Sequence, residues 1–194
     1  ISIHGESTEG THIIHFGCDS IYWNLSAQER ESFVSIYDIT FSTINLGTKR
    51  CIRYDGLTST GGNGLRLHIS RCNFVGADWE DQAVWPANTY INTFEWETAI
   101  ALDNADDCLI EKCFSRGKER AAIDSFDTQT IFIDINATSE CHVFGNNVAR
   151  TWKSAVITGF CEGLHFYHNS FYANNRAIHA FNEGGNDLNC NTIK

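Results

Sequence analysis

Asp103 and Asp124 are the residues of this chain best placed for chemistry: Asp124 directly follows the pair Ala122-Ile123, and Asp103 stands three residues beyond the isoleucine of the pair Ala99-Ile100. Two carboxylates flanking a glycosidic bond can share its cleavage, one as general acid and one as base or nucleophile, provided their surroundings separate their pKa values. Asp127, three residues beyond Asp124, is a third candidate acid. Arg53 follows Ile52 and His179 follows Ile178 as Asp124 follows Ile123, so both are read as substrate contacts on the same surface.

Between Val75 and Thr98 the sequence interleaves Trp79, Trp85, Tyr90, Phe94 and Trp96 with Asp78, Glu80, Asp81, Glu95 and Glu97. Aromatic faces stack on the CH groups of sugar rings while carboxylates accept from hydroxyls, so Trp85, Glu95, Trp96 and Glu97 are expected to bind substrate. Glu95 and Glu97 are also reserve acids. Two blander readings stay open: the aromatics could form a satellite core under a long loop, and surface aspartates commonly cap turns. His142, His165 and His168 could ligate a metal, yet no convergent carboxylate or thiolate set accompanies them. His142 and His165 instead occupy equivalent places one repeat apart and read as a stacked surface column. No metal and no cofactor is expected.

These residues need a scaffold that brings distant segments to one face, and the sequence supplies it as a concealed repeat. A small residue followed by a β-branched one opens Cys51-Ile52-Arg53-Tyr54, Ala99-Ile100-Ala101-Leu102, Ala122-Ile123-Asp124-Ser125, Ala155-Val156-Ile157-Thr158 and Ala177-Ile178-His179-Ala180. A second pattern has an apolar residue at each end and a small or polar one at its fourth place. Its copies begin at Ile36, Ile69, Val143, Phe166 and Leu188, and Ile110 opens one that is a residue short. The two patterns alternate. Where no insertion intervenes they recur 22 or 23 residues apart, from 146 to 169, 169 to 191 and 156 to 178.

A period of that length built from short strand-like runs fits one coil of a parallel β-helix, each strand pairing with its counterpart about 4.8 Å above. The leucine-rich repeat is the rival at this length, but its leucine and asparagine spacing is absent. In the β-helix reading Asn146, Asn169 and Asn191 form one amide ladder, with Cys72 and Cys113 in the same slot of earlier coils. Val34, Leu67, Cys108, Cys141 and Leu164 make an inward column, so the cysteines are expected as small buried side chains rather than disulfides. If Ile52, Ile100, Ile123, Val156 and Ile178 point inward, alternation puts Arg53, Ala101, Asp124, Ile157 and His179 on a groove floor. Asp55, Asp103, Phe126, Gly159 and Phe181 would form a second outward row. The insertions Asp55 to Arg66 and Ser125 to Glu140 are read between first and second patterns, and Val75 to Thr98 between second and first, so that loops wall the groove on both sides.

The 194 residues, 42% hydrophobic, can bury a core and read as a single β-helix domain over 1–194. There is no methionine, and Lys194 closely follows the last repeat without a polar cap. The helix is therefore expected to be a fragment, truncated at one or both ends, or covered there by a partner. A formal net charge of −10 without any Lys/Arg cluster speaks against a nucleic-acid partner. No apolar run is long enough for a membrane span.

The segments ISIHGESTEGTHIIHF, LRLHISRCNF, CLIEKCF and HVFGNN resemble the pectate-lyase-like superfamily of right-handed parallel β-helices. Within it, the chain resembles bacteriophage tailspike and capsule-depolymerase proteins. The resemblance implies an all-β, right-handed helix assembled as a homotrimer on a virion tail, or otherwise secreted. It also implies a groove that binds and hydrolyses a bacterial surface polysaccharide, capsule or O-antigen, with acidic residues. The arginine-rich signature and calcium-binding aspartates of pectate lyases are missing, and Asp106-Asp107-Cys108 reads as a turn into a second-pattern strand. The alternatives are a non-catalytic glycan receptor-binding or structural β-helix, and a polysaccharide lyase.

Overall fold

Short strands rich in β-branched and aromatic residues fill the molecule. The structure is a computed structural model that describes residues 1–15, 19–24, 33–44, 50–56, 66–76, 96–117, 130–172, 174–180 and 188–193. Among these residues every regular element is a strand, and no helix is long and apolar enough to cross a membrane.

The strands sort into three parallel sheets. The first has seven: Ser2–His4, Phe33–Tyr37, Arg66–Ser70, Asp106–Glu111, Ser139–Phe144, Cys161–Tyr167 and Leu188–Ile193. The second has six: His12–His15, Thr40–Thr43, Asn73–Gly76, Phe114–Arg116, Asn147–Ala149 and Ser170–Tyr172. The third has six: Ile21–Asn24, Arg50–Asp55, Thr98–Asp103, Ile131–Asn136, Lys153–Thr158 and Arg176–Ala180. The chain visits first, second and third sheet in turn and re-enters the first one rung on, which is a right-handed parallel β-helix.

Burial of like on like drives the stack. Val34, Leu67, Cys108 and Cys141 are in register down the first sheet, and so are Ile36, Ile69, Ile110, Val143 and Phe166. All are buried, and each fully buried large apolar side chain contributes roughly 1.5–3 kcal/mol. Phe41 and Phe74 stack in register with ring centroids 5.6 Å apart. Cys51, Cys72, Cys108, Cys113, Cys141 and Cys161 keep buried thiols rather than disulfides, as the inward column requires. On the outside of the first sheet the His142 and His165 rings stack at 4.6 Å.

The turn from first to second sheet repeats one geometry. Asp38, Arg71, Lys112, Gly145 and His168 all take positive φ there, between 51° and 64°. The next residue points its side chain into the turn. Asn146 Oδ1 accepts from the Cys113 N–H at 2.9 Å, and its Nδ2 donates to Ile110 O at 3.0 Å. One coil on, Asn169 Oδ1 accepts from the Asn146 N–H and Asn169 Nδ2 donates to Val143 O. The ladder thus satisfies turn groups that would otherwise be buried without partners.

Three expectations about register are corrected. Asn191 leaves the ladder: Leu188–Ile193 pairs along Cys161–Tyr167, with Ile193 beside Phe166 and register shifts on either side of Leu164. The link from third to first sheet is longer there than the simple repeat assumed, which carries Asn191 into a strand. The third-sheet strand following Thr98–Asp103 is Ile131–Asn136, so Ile133, not Ile123, stands in register with Ile100. The insertion before it therefore joins second to third sheet, and the link after it is only 137–138. Finally, Ala155 rather than Val156 pairs with Ile133 and Ile178, which leaves Ile157 fully buried.

Candidate functional site on the third sheet

With the register fixed, alternation dictates which side chains leave the third sheet. One outward row reads Tyr22, Arg53, Ala101, Asp134, Val156, His179. The next reads Asn24, Asp55, Asp103, Asn136, Thr158. Asp134 takes the place expected of Asp124, Val156 that of Ile157, and Thr158 that of Gly159. Asn136 holds the place assigned to Phe126.

These rows floor a cleft of about 640 Å³ whose lining includes Arg50, Arg53, Asp55, Asp103, Asp134 and Asn136. That volume lies within the roughly 300–1,000 Å³ usual for small-ligand sites. Thr158 and Gly159 close one side. Gly159 has φ +68°, and a Cβ there would sit 2.5 Å from Asn136 Oδ1. Only glycine leaves that amide in place.

The three acids of the cleft meet different surroundings. Asp55 is engaged: Arg53 Nε and Nη2 donate to its two oxygens at 3.0 and 2.7 Å, and the Tyr22 hydroxyl donates at 2.9 Å. The same guanidinium lies 4.8 Å over the Tyr22 ring and 3.5 Å from Asp19. Its bond to Asp55 holds the Arg53 pKa above the ordinary value.

Asp103, stacked directly between Asp55 and Asn136, receives Nδ2 of Asn104 at 2.9 Å and Nδ2 of Asn136 at 2.8 Å, both on Oδ1. Thr158 Oγ1 donates to Asn136 Oδ1 at 3.1 Å, which fixes the amide so that its NH₂ faces Asp103. Among the described residues, no hydrogen bond reaches Asp103 Oδ2.

Asp134 is half-buried, and no hydrogen bond reaches its carboxyl from the described residues. Burial pushes its pKa above the ordinary aspartate range; Asp103 and Glu97 push the same way, against Arg50 and Lys153. Asp134 sits one rung across and two residues back from Asp103. Ordinary strand spacings put their Cα atoms about 8 Å apart.

The remaining expected site residues divide. Arg53 and His179 do stand on the floor, at opposite ends of one row. Burial, with Lys153 and Arg176 nearby, holds the His179 imidazole below its ordinary pKa. Glu97 is exposed at the start of Thr98–Asp103 and acts on the site through its charge. Trp96 is not a groove wall: it is 3% exposed, its Nε1 donates to Phe41 O at 3.3 Å, and its ring stacks on His15. Asp124, Asp127, Trp85 and Glu95 lie outside the described residues. Among those residues no group of three or more metal-ligating side chains occurs.

Asp134, Asn136 and Arg50 were missed by the sequence reading. The signal was present, because the 22-residue step from 178 to 156 lands on 134 when taken once more. Ile131-Phe132-Ile133-Asp134-Ile135-Asn136 also alternates from Ile133 onward as a half-buried strand should. Comparison with protein-family models, with curated proteins and with solved structures finds no match in any of the three.

Proposed function

We propose that this β-helix binds a bacterial surface polysaccharide along its third sheet and hydrolyses it, in the manner of a tailspike-type domain acting on capsule or O-antigen. The observation that carries the reading is the unequal treatment of Asp134 and Asp103 on adjacent rungs of one cleft. Burial raises the Asp134 pKa above the ordinary aspartate value, the direction that suits a general acid. Asp103 is oriented through Oδ1 by two amides and keeps Oδ2 for a water. Asp55, neutralised by Arg53, supports the arrangement without taking part.

In the proposed reaction Asp134 gives its proton to the glycosidic oxygen as the bond to the anomeric carbon breaks. A water attacks that carbon from the other face and loses its proton to Asp103. A separation of roughly 6.5–9.5 Å between the two carboxyls leaves room for such a water and predicts inversion at the anomeric carbon. The offset of one rung and two residues supports this single displacement over a covalent intermediate.

Incubating the protein with a panel of capsular and O-antigen polysaccharides tests the proposal. It predicts new reducing ends with at least one glycan, and their loss by about 10²–10⁴-fold in Asp134→Asn and in Asp103→Asn. Binding without new reducing ends for every glycan rejects hydrolysis in favour of adhesion, and an ultraviolet-absorbing unsaturated product would mark a lyase.

A further inference from the structure

Where the third-sheet strands begin, beside the floor, charge of the opposite sign gathers. Lys153 and Arg176 are in register on neighbouring rungs, about 4.8 Å apart along the backbone. Like charges set directly opposite each other destabilise a sheet. By contrast, Arg53, Arg66, Arg71 and Lys112 each have a carboxylate within 4 Å. Among the described residues, no carboxylate pairs with Lys153 or Arg176.

A histidine adjoins them. His179 Nε2 accepts from Arg176 Nη1 at 3.1 Å, and Lys153 and Arg176 both act on the imidazole. Asp134, Val156 and His179 are consecutive in one outward row. The cationic group begins at Lys153, one rung across and three residues back from the proposed acid, roughly 11 Å away by strand spacings. Setting two cations side by side at the surface, Lys153 half-buried and Arg176 exposed, goes against a local rule of sheet stability, and such violations concentrate where function demands them.

We propose that Lys153 and Arg176, the latter steadied by His179, form a subsite for an oxyanion carried by the glycan, a carboxylate or a phosphate on the sugar unit next to the one cleaved. A guanidinium fork matches either group with two parallel hydrogen bonds, and an ammonium adds a point charge. The inference rests on the reading of the third sheet as a glycan-binding face and narrows its substrates to acidic polysaccharides. It also explains how a chain of formal charge −10 can hold a polyanion: the favourable charge is local, and screening shortens the reach of the rest to about 8–10 Å.

Calorimetric titration of the full chain with three probes of matched length tests the subsite: oligogalacturonate, phosphomannan oligosaccharide and neutral dextran oligosaccharide. At least one acidic probe should bind roughly tenfold or more tighter than dextran, and which one does identifies the oxyanion. Lys153→Gln/Arg176→Gln, checked for an unchanged thermal melt, should bring acidic and neutral probes to parity. Arg176→Lys, which keeps the charge and loses the fork, should fall between. Equal binding of all three probes overturns the subsite, as does a charge preference that survives the double substitution. Charge-dependent binding without any bond cleavage leaves the subsite standing and rejects hydrolysis; cleavage of a neutral glycan with no charge preference does the reverse.

Discussion

A half-buried carboxyl such as Asp134 costs stability whenever it is ionised, and this ties the proposed acid to the pH dependence of folding. Its folded pKa lies above the unfolded value, so the proton it holds stabilises the fold fully below the unfolded pKa. That contribution is lost as pH rises through the folded pKa. Asp134→Asn removes the ionisation and keeps the shape. It should therefore raise the urea midpoint at neutral pH relative to the parent while abolishing turnover, and the difference should vanish near pH 3. A variant no more stable than the parent at neutral pH would mean that the carboxyl carries no burial penalty. At this scale the sequence was only partly legible. Asp103, Arg53 and His179 could be placed because their strands open with a small residue and isoleucine. Asp134 could not, because Ala122-Ile123 imitates that opening nine residues before the strand that pairs. Trp96 misled for another reason: an indole beside acids looks like a sugar platform until its Nε1 is seen bonded to Phe41 O in the core.

Among the elements, the turn from first to second sheet bears the most concentrated demand. Asn146 is 1% exposed and meets a backbone N–H, a backbone C=O and the Asn169 amide at once. Asn146→Ala leaves the Cys113 N–H without the side-chain acceptor it has here and takes one donor from the Ile110 C=O, at a cost of about 1–3 kcal/mol for the buried N–H. Thermal unfolding should show a clear drop in Tm for this variant, and a smaller one for Asn169→Ala, whose side chain is less buried. Equal and negligible shifts would show that the ladder is ornamental. The sequence revealed this ladder at 146 and 169, where coils are shortest and the period is undisturbed. It did not reveal the second one, in which Asn174 Oδ1 accepts from the Thr151 N–H and Nδ2 donates to Val148 O. Among the described residues only one copy of that turn carries an asparagine, so no repeat announces it. Asn191 was drawn into the first ladder by spacing alone; a longer link shifts its strand, and spacing cannot detect a register shift.

Over the whole molecule, function depends on which segments the coils bring level, since residues far apart in sequence share one floor. Coils of 22 to 48 residues all close onto the same three sheets because the additional length is spent between strands, from Ile52 to Ile100 and from Ile100 to Ile133. Inward columns hold the register, because a slip of one residue would turn every apolar side chain outward. The same columns bury the thiols, and burial pushes the Cys51 thiol well above its ordinary pKa. Such thiols stay inert in the folded state. That inertness makes the register open to a direct chemical test. Ala101 and Asp134 are partners on adjacent strands of the third sheet, about 4.8 Å apart and within disulfide reach. Mild oxidation of Ala101→Cys/Asp134→Cys, followed by denaturation, alkylation and intact-mass measurement, should show no more alkylated thiols than the eight of the parent chain. Full alkylation of both introduced cysteines, with ready closure of Ala101→Cys/Asp124→Cys in its place, would contradict the register and remove Asp134 from the site.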